Sequence, residues 1–446
     1  MRAIVERDAG RASARRRFAS RAPSGDVARL APLDRQLRWL FAYALVTYPF
    51  ACVPCLFLFF AQHGMDDASY GEILGAYYFA MFVAEVPTGV LADRIGARPM
   101  LVAGPALLAS GFGMLLLAPG YAGFIVGEVL LGVGHAVLSG PPTVALYETL
   151  RAHGEQHRYL AEESRVHARR LFGTGAAFLL GGVLASVGNA SGDAYGLAVV
   201  ATCVLCLGAA AIGTRIAPPR TPPQRRPEFV AHARRELTAP GVRWLLAYWI
   251  VLFALLRFPF HDYQPYLRAA ATLEPWFADP IAVGALFALL NLFAAPLSSR
   301  VPQLVARYGR RPLFWGMPML LAGSLLVMAG ERQLAATGAG SRALCWLGVA
   351  MFFAQQVPFG MHWPLVYEFV NHRIGSAART TVLSVLSLGA RLVYALLNVA
   401  LFHVQDTAGI ATALATAGIG GAVAAVLVMR LRPRGLLRGD GPIDTP

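Results

Sequence analysis

Twelve times between Trp39 and Met429 the chain runs through a stretch of mostly apolar residues, many of them about twenty long. The stretches are roughly 39–61, 70–91, 99–118, 121–147, 171–188, 194–214, 244–262, 279–304, 312–330, 343–367, 378–402 and 407–429. A helix of that length, rising 1.5 Å per residue, crosses a hydrocarbon core of about 30 Å. Inside lipid each backbone N–H and C=O must be satisfied within the protein, and a helix does this within one segment. Only 14% of the residues are charged and 56% are hydrophobic, whereas a soluble globular protein carries about a quarter charged residues. The pattern predicts an all-α polytopic membrane protein of twelve transmembrane helices and excludes a soluble globular fold.

The net charge of +14 raises the question of nucleic acid. Its placement answers otherwise. All 39 basic residues are arginine. If the N-terminus is cytoplasmic, 34 of them fall on the cytoplasmic side: 2 to 38, 94, 98, 151 to 170, 215 to 243, 300 to 311, 373, 379 and 430 to 438. Only Arg268, Arg332 and Arg342 fall outside, and Arg257 and Arg391 lie within apolar segments. Positive charge marks the cytoplasmic side of short loops. Both termini are therefore expected inside, with the basic excess a topology signal and no nucleic-acid partner. The absence of lysine, with abundant Ala, Gly and Pro, points to a GC-rich bacterial genome and hence to the bacterial inner membrane. Residues 1–38 read as an Arg-rich cytoplasmic tail with no apolar stretch long enough for a cleavable signal. Residues 431–446 read as a second tail. The five cysteines all lie in apolar segments, which argues against a disulfide framework. The pairs Cys52/Cys55 and Cys203/Cys206 share helix faces, but thiols in hydrocarbon resist deprotonation and small buried cysteines pack well, so no metal is expected.

Residues 215–243, IAPPRTPPQRRPEFVAHARRELTAPGVR with the arginine before them, form the longest internal polar stretch. They read as a linker, with a short surface helix over Glu228 to Leu237, between six-helix halves at 39–214 and 244–430. A repeat supports the division. RIGARPMLVAGPALLA (94–109) matches RYGRRPLFWGMPMLLA (307–322) at a constant offset. Arg94, Gly96, Arg98, Pro99, Pro105, Leu107, Leu108 and Ala109 meet identical residues, among them Arg307, Gly309 and Arg311. LYETL (146–150) and VYEFV (366–370) repeat more weakly.

Twelve helices in two halves, a basic central loop and G-x-x-x-D-R-x-G-x-R between segments two and three resemble the major facilitator superfamily over about residues 35–432. The carrying residues are Gly89, Asp93, Arg94, Gly96 and Arg98; Ala97 stands where the family usually has a second basic residue. The second copy keeps Arg307, Gly309 and Arg311, with Ala306 in the acid's place. The resemblance implies two pseudo-symmetric six-helix bundles around a cavity lined by segments one, four, seven and ten. It also implies that Asp93 closes the cytoplasmic side as a latch, its carboxylate against the positive N-terminal end of segment eleven near Ala377 to Thr380. Gly89 would allow close helix approach, and Arg94 and Arg98 would pair with nearby acids or anionic headgroups. The plainer alternative is a basic loop with a turn glycine.

Ionisable residues at bilayer depth are costly, so each is a functional candidate. In segment four Glu128, Gly132, His135 and Ser139 share one stripe. Glu128 and His135 read either as a protonatable pair on the cavity or as groups bonded within the core. Glu85, two turns before Asp93, reads as a second proton carrier or as a partner of segment eleven such as Arg391. Segment seven ends LLRFPFHDYQPYL; its Arg257, His261, Asp262 and Gln264 suggest an outer gate, with Pro259 expected to break the helix. Segment ten adds Gln355, Gln356, His362 and Trp363, and Pro358, Gly360 and Pro364 predict irregularity there. Arg391, at mid-depth in segment eleven, needs an acidic partner or an anionic substrate.

With no lysine, the GxxxxGK[ST] phosphate loop cannot exist, so transport driven by ATP is not expected. No HExxH or nucleophile elbow indicates an enzyme, and no cofactor is implied. The reading is a proton-coupled secondary transporter of a small organic molecule, a chain acting as a monomer in the bilayer. Export of an amphipathic compound is favoured over symport of a nutrient or metal chelate. FGTGAAFLLGGVLASVG in segment five keeps Gly181 and Gly182, but it has Phe178 where exporters of the superfamily often carry a proline. A non-transporting sensor with the arginine tail as output is the remote alternative.

Overall fold

Pro49 and Pro54 break the first apolar segment, which the hydropathy pattern predicts as one helix. In the computed structural model, which describes residues 32–191, 195–219, 238–373 and 379–437, α1 (Leu33–Thr47) ends before Pro49. A 3-10 turn, Val53–Cys55, leads into α2 (Leu56–Gln62). Proline cannot donate the helical hydrogen bond and clashes with the preceding turn, so two prolines five residues apart stop the helix twice.

The remaining segments follow. Segments two and three are α3 (Asp67–Ile95) and α4 (Ala97–Leu117). Segment four is α5 (Tyr121–Leu138) and α6 (Pro141–Ala152), divided at Ser139–Gly140 before two prolines. Segments five and six are α7 (Tyr159–Ser191) and α8 (Gly196–Gly213). The second six are α9 (Pro240–Ala270), α10 (Pro280–Tyr308), α11 (Arg310–Ala336), α12 (Arg342–Arg373), α13 (Arg379–Ala408) and α14 (Ile410–Arg430). Among the described residues eleven helices are long and apolar enough to cross a membrane, and the broken first segment adds a twelfth apolar stretch. Among the described residues there is no strand. The N-terminal tail, the surface helix expected over Glu228 to Leu237 and the beginning of segment eleven at 374–378 lie outside the described residues.

Two expectations about proline do not hold. α9 runs unbroken through Pro259 and Pro265, and α12 through Pro358 and Pro364. Each proline removes one backbone bond, but neighbouring helices hold the cylinder in place. α9 is the most deeply buried of the eleven spans.

Repeated sequence gives repeated structure. Gly96 (φ 86°, ψ 171°) separates α3 from α4, and Gly309 (φ 76°, ψ 169°) separates α10 from α11. Positive φ suits glycine, so both copies need it to turn one helix directly into the next. Tyr43 in segment one donates to the Leu101 carbonyl at 2.9 Å, and Tyr248 in segment seven donates to the Phe314 carbonyl at 3.0 Å. Leu101 and Phe314 are equivalent positions of the repeat. Packing repeats as well: α4 lies on α8 as α11 lies on α14, and α3 on α5 as α10 on α12. Between the first six segments and the last six, α3 packs on α13 and α7 on α10. These two seams frame the space at the centre.

Candidate functional site

A cavity of about 380 Å³ lies between the first six segments and the last six. Its wall is largely aromatic: Tyr48 and Phe50 from segment one, Tyr70, Tyr77 and Tyr78 from α3, Phe178 from α7, and Trp249, Phe253 and Phe260 from α9. Apolar walls with a few polar groups are the usual make-up of a small-molecule site. The polar groups here are Glu128, His135, Arg257, His261, Gln264, Ser387 and Arg391.

Glu128 sits on α5, 3% exposed, and its Oε1 has no hydrogen-bond partner among the described residues. α5 reaches this depth because its glycines permit close contact. A Cβ on Gly127 would stand 3.0 Å from the Gly111 carbonyl of α4. Two turns on, His135 lies within a ring of aromatics, with centroids 5.4 Å from Phe50, 5.5 Å from Tyr77 and 5.9 Å from Tyr48. Its Nδ1 is 3.1 Å from the Leu131 carbonyl.

Across the cavity, His261 Nε2 is 2.9 Å from the Tyr78 hydroxyl. Arg257, half-buried, has its guanidinium 5.4 Å from the Phe253 ring and no ion-pair partner among the described residues. Arg391 differs: it forms an ion pair with Glu85 of α3. The pair joins α13 to α3 across the seam. Trp363, 45% exposed, lies 5.1 Å from Trp249, centroid to centroid.

Four residues expected in the cavity do not line it. Gln355 bonds inward, accepting from Tyr263 at 2.8 Å and donating to Ser324 at 2.9 Å. Gln356 donates to the Tyr263 hydroxyl at 3.3 Å. These amides satisfy a core hydroxyl and face away from the opening. His362 is buried, its Nδ1 2.6 Å from the Phe359 carbonyl and its ring stacked on Trp249. Asp262 is 0% exposed and does not line the cavity, and neither carboxylate oxygen has a hydrogen-bond partner among the described residues. Neighbouring helix positions diverge by about 100°, so His261 and Asp262 cannot face the same space.

Sequence reasoning placed Arg391 of segment eleven at the cavity but missed its neighbours there. Tyr70, Tyr77 and Tyr78 of α3 and Ser387 of α13 line the cavity beside Arg391. The available signal was three tyrosines within nine residues of a membrane span, since a buried phenol needs a partner for its hydroxyl.

The contacts between the first six segments and the last six run from mid-depth to the arginine-poor face. Gln264 donates to the Val53 carbonyl at 2.6 Å and accepts from the Phe57 N–H at 2.9 Å. Val53 and Phe57 flank the break between the 3-10 turn and α2, so that carbonyl and N–H do not bond each other as they would in an unbroken helix. Asn398 donates to the Gly71 carbonyl at 3.0 Å. A Cβ on Gly182 would stand 3.1 Å from Gly284 Cα, so α7 and α10 touch backbone to backbone. At the arginine-rich ends Asp93, Arg94 and Arg98 are exposed. Nothing described lies within 4 Å of a Cβ on Gly89. Arg98 donates to the Thr214 carbonyl at 3.2 Å, at the end of α8. Arg307 lies 5.3 Å from the Tyr308 ring, and Arg311 is exposed. The segment-eleven residues expected to meet Asp93 lie outside the described side chains.

Comparison with known proteins agrees with this architecture. A stretch of 74 residues is 36% identical to the Inner membrane transport protein YajR of Escherichia coli (strain K12). The match takes in 17% of this chain and spans only 16% of that relative's length. Among solved structures, an auto inhibited POT family peptide transporter superimposes with TM-score 0.72 at 16% identity, over 90% of this chain and 97% of that one. The nucleoside transporter NupG gives 0.68 at 14% identity, over 90% and 99%. A D-xylose-proton symporter gives 0.66 at 15% identity, over 90% and 97%. At such identities the likeness is one of fold. Residues 39–398 match the family model of the Major Facilitator Superfamily, and the chain belongs to that family.

Proposed function

We propose that the protein is a proton-coupled transporter that moves a small organic molecule across the bacterial inner membrane by alternating access, with Glu128 carrying the proton. The supporting observation is the Glu128 carboxyl group: buried at the cavity wall, with one oxygen left without a hydrogen bond among the described residues. A carboxylate kept only for structure would have its oxygens bonded, since buried polar groups nearly always are. An acid reached from one face at a time can take a proton from one side and release it on the other. Glu85, held by Arg391, and His135 are the secondary coupling candidates.

In this reading residues 39–214 and 244–430 are the two rocking halves, 215–243 links them, and 1–38 and 431–446 are tails. The chain works as a monomer with both termini cytoplasmic. The arginine-rich face is then the cytoplasmic one, and the seams closed on the opposite face make this an inward-facing state. The aromatic wall suits an amphipathic molecule, and export is the first reading of direction. The second, uptake by proton symport, is favoured by Arg257, which lines the cavity and has no ion-pair partner among the described residues.

The test uses everted membrane vesicles with an imposed pH gradient and a pH-sensitive dye, challenged with antibiotics, siderophores, sugars and organic acids. A compound that dissipates the gradient with the intact protein and not with Glu128→Gln supports proton coupling. Accumulation against a gradient that survives in Glu128→Gln refutes the role of Glu128.

A further inference from the structure

The formal charges at the cavity cancel with Glu128 ionised, Glu128 and Glu85 against Arg257 and Arg391, and one positive charge is left over once Glu128 takes a proton. Three side chains with formal charge line it: Glu128, Arg257 and Arg391. Arg391 is neutralised by Glu85. Arg257 has neither ion pair nor hydrogen bond among the described residues, and its guanidinium lies 5.4 Å from the Phe253 ring. An uncompensated charge at membrane depth is costly, so a guanidinium held open in an aromatic chamber stands ready for a counter-ion. Its planar fork of N–H donors fits a carboxylate in two parallel bonds, which no lysine would do.

We propose that the cavity binds an organic anion, a compound with an aromatic or apolar body whose carboxylate pairs with Arg257 while Glu128 holds a proton. Trp249, Phe253 and Phe260 lie on the same helix as Arg257 and would take the body. With Glu128 protonated and Glu85 cancelling Arg391, one positive charge remains, and a monoanion neutralises it. The groups around Glu128 leave it as the variable charge. Tyr70, Tyr77 and Tyr78 of α3 and Cys52 of segment one line the same cavity as Glu128. Arg257 and Arg391 stand across the cavity, and His135 lies farther along α5. His135 and His261 are both held by hydrogen bonds available to a neutral imidazole. The inference rests on Glu128 as the proton carrier. It also selects between the two directions: a proton on Glu128 removes the charge that repels the anion, so the two favour each other and travel together, which is symport. By linkage the bound anion strengthens proton binding by the same factor.

The purified protein in lipid nanodiscs can be titrated with 3-phenylpropanoate, 3-phenylpropylamine and 3-phenylpropanol, which share one body and differ in charge. Further aryl and alkyl acids complete the panel. Binding is read from the fluorescence of Trp249 and Trp363 at the cavity and from ligand-induced thermal shift. The acid is expected to bind at least about tenfold more tightly than the alcohol or amine at pH 6, and about tenfold more weakly at pH 8. Arg257→Gln should lose the preference for the acid and still bind the alcohol. Arg257→Lys, which keeps the charge without the fork, should retain part of the preference. Glu128→Gln should bind the acid at pH 8 as the unmodified protein does at pH 6. Preference for the amine, equal binding of all three, no binding by any acid of the panel, or an acid preference unchanged in Arg257→Gln overturns the anion site. An acid preference that depends on Arg257 but keeps its pH dependence in Glu128→Gln upholds the anion site and overturns Glu128 as carrier, so the two readings fail separately.

Discussion

Glu85 of α3 and Arg391 of α13 form an ion pair across the seam between the first six segments and the last six, each side chain 14% exposed. Removing one partner of such a pair leaves an uncompensated charge, at a cost of about 3–5 kcal/mol when buried. Here partial exposure to the cavity reduces that cost. Glu85→Gln should therefore lower the thermal midpoint of the membrane-inserted protein and cut transport by about tenfold. Arg391→Gln should do the same. The exchanged double variant, Glu85→Arg with Arg391→Glu, should recover much of the stability. A double variant no better than the two single ones combined would show that the residues act separately.

Gly182 and Gly284 bring α7 and α10 together on the arginine-poor side. A Cβ on Gly284 would stand 3.0 Å from Gly182 Cα and 2.7 Å from the Phe178 carbonyl. Backbone cannot yield as a side-chain tip can, so Gly182→Leu should prop this seam open. We expect transport to fall by an order of magnitude or more, since overpacking such a contact costs about 1–3 kcal/mol and biases the two states. The check is labelling of a Leu74→Cys variant, whose position lines the cavity, by a membrane-impermeant thiol reagent from the arginine-poor side. Labelling should accelerate when Gly182→Leu is added, and an unchanged rate would refute the prediction.

The sequence carries the membrane spans and the repeat because both are periodic or composition-driven signals. Gly96 and Gly309 announce their turns, since a direct helix-to-helix turn at positive φ needs glycine. Direction around a helix is less legible. Arg257, His261 and Asp262 lie within six residues of one another, yet the first two line the cavity and Asp262 does not. That choice depends on tertiary packing, which a single sequence does not contain. Gln355 and Gln356 were misplaced for the same reason: polar residues in a span look alike whether they serve a solute or a neighbouring tyrosine. Proline does not break α9, where surrounding helices hold the chain and the rule of thumb from water does not apply.

Tyr78 holds His261 through a hydrogen bond of 2.9 Å at the cavity wall. Tyr78→Phe removes that hydroxyl and leaves the ring to pack against Tyr394 and Phe253. One lost neutral hydrogen bond is worth about 0.5–1.5 kcal/mol, so a small fall in stability is expected. The effect on transport should be larger in substrate affinity than in turnover, because the freed imidazole loses its fixed orientation beside Arg257. Initial-rate measurements over a substrate series separate the two. A change confined to turnover would contradict a positioning role.

Asp93 is exposed at the end of α3, beside Arg94 and across the Gly96 turn from Arg98 at the start of α4. In a state closed at the arginine-rich face, α3 and α13 would have to meet along their full length, and Gly89 has the open space for that approach. A carboxylate at the end of α3 would then stand near the start of α13, where exposed N–H groups and the helix dipole favour negative charge by about 0.3–1 kcal/mol, rising to ~2 when partly buried. Asp93→Asn keeps the shape and removes the charge, so it should leave insertion and stability unchanged while slowing transport several-fold. Asp93→Glu should retain more activity than Asp93→Asn. Flux through proteoliposomes at matched protein content decides the matter. Unchanged flux in Asp93→Asn would reduce the motif to a basic loop with a turn glycine, and slowed flux with normal substrate binding would assign Asp93 to the conformational step.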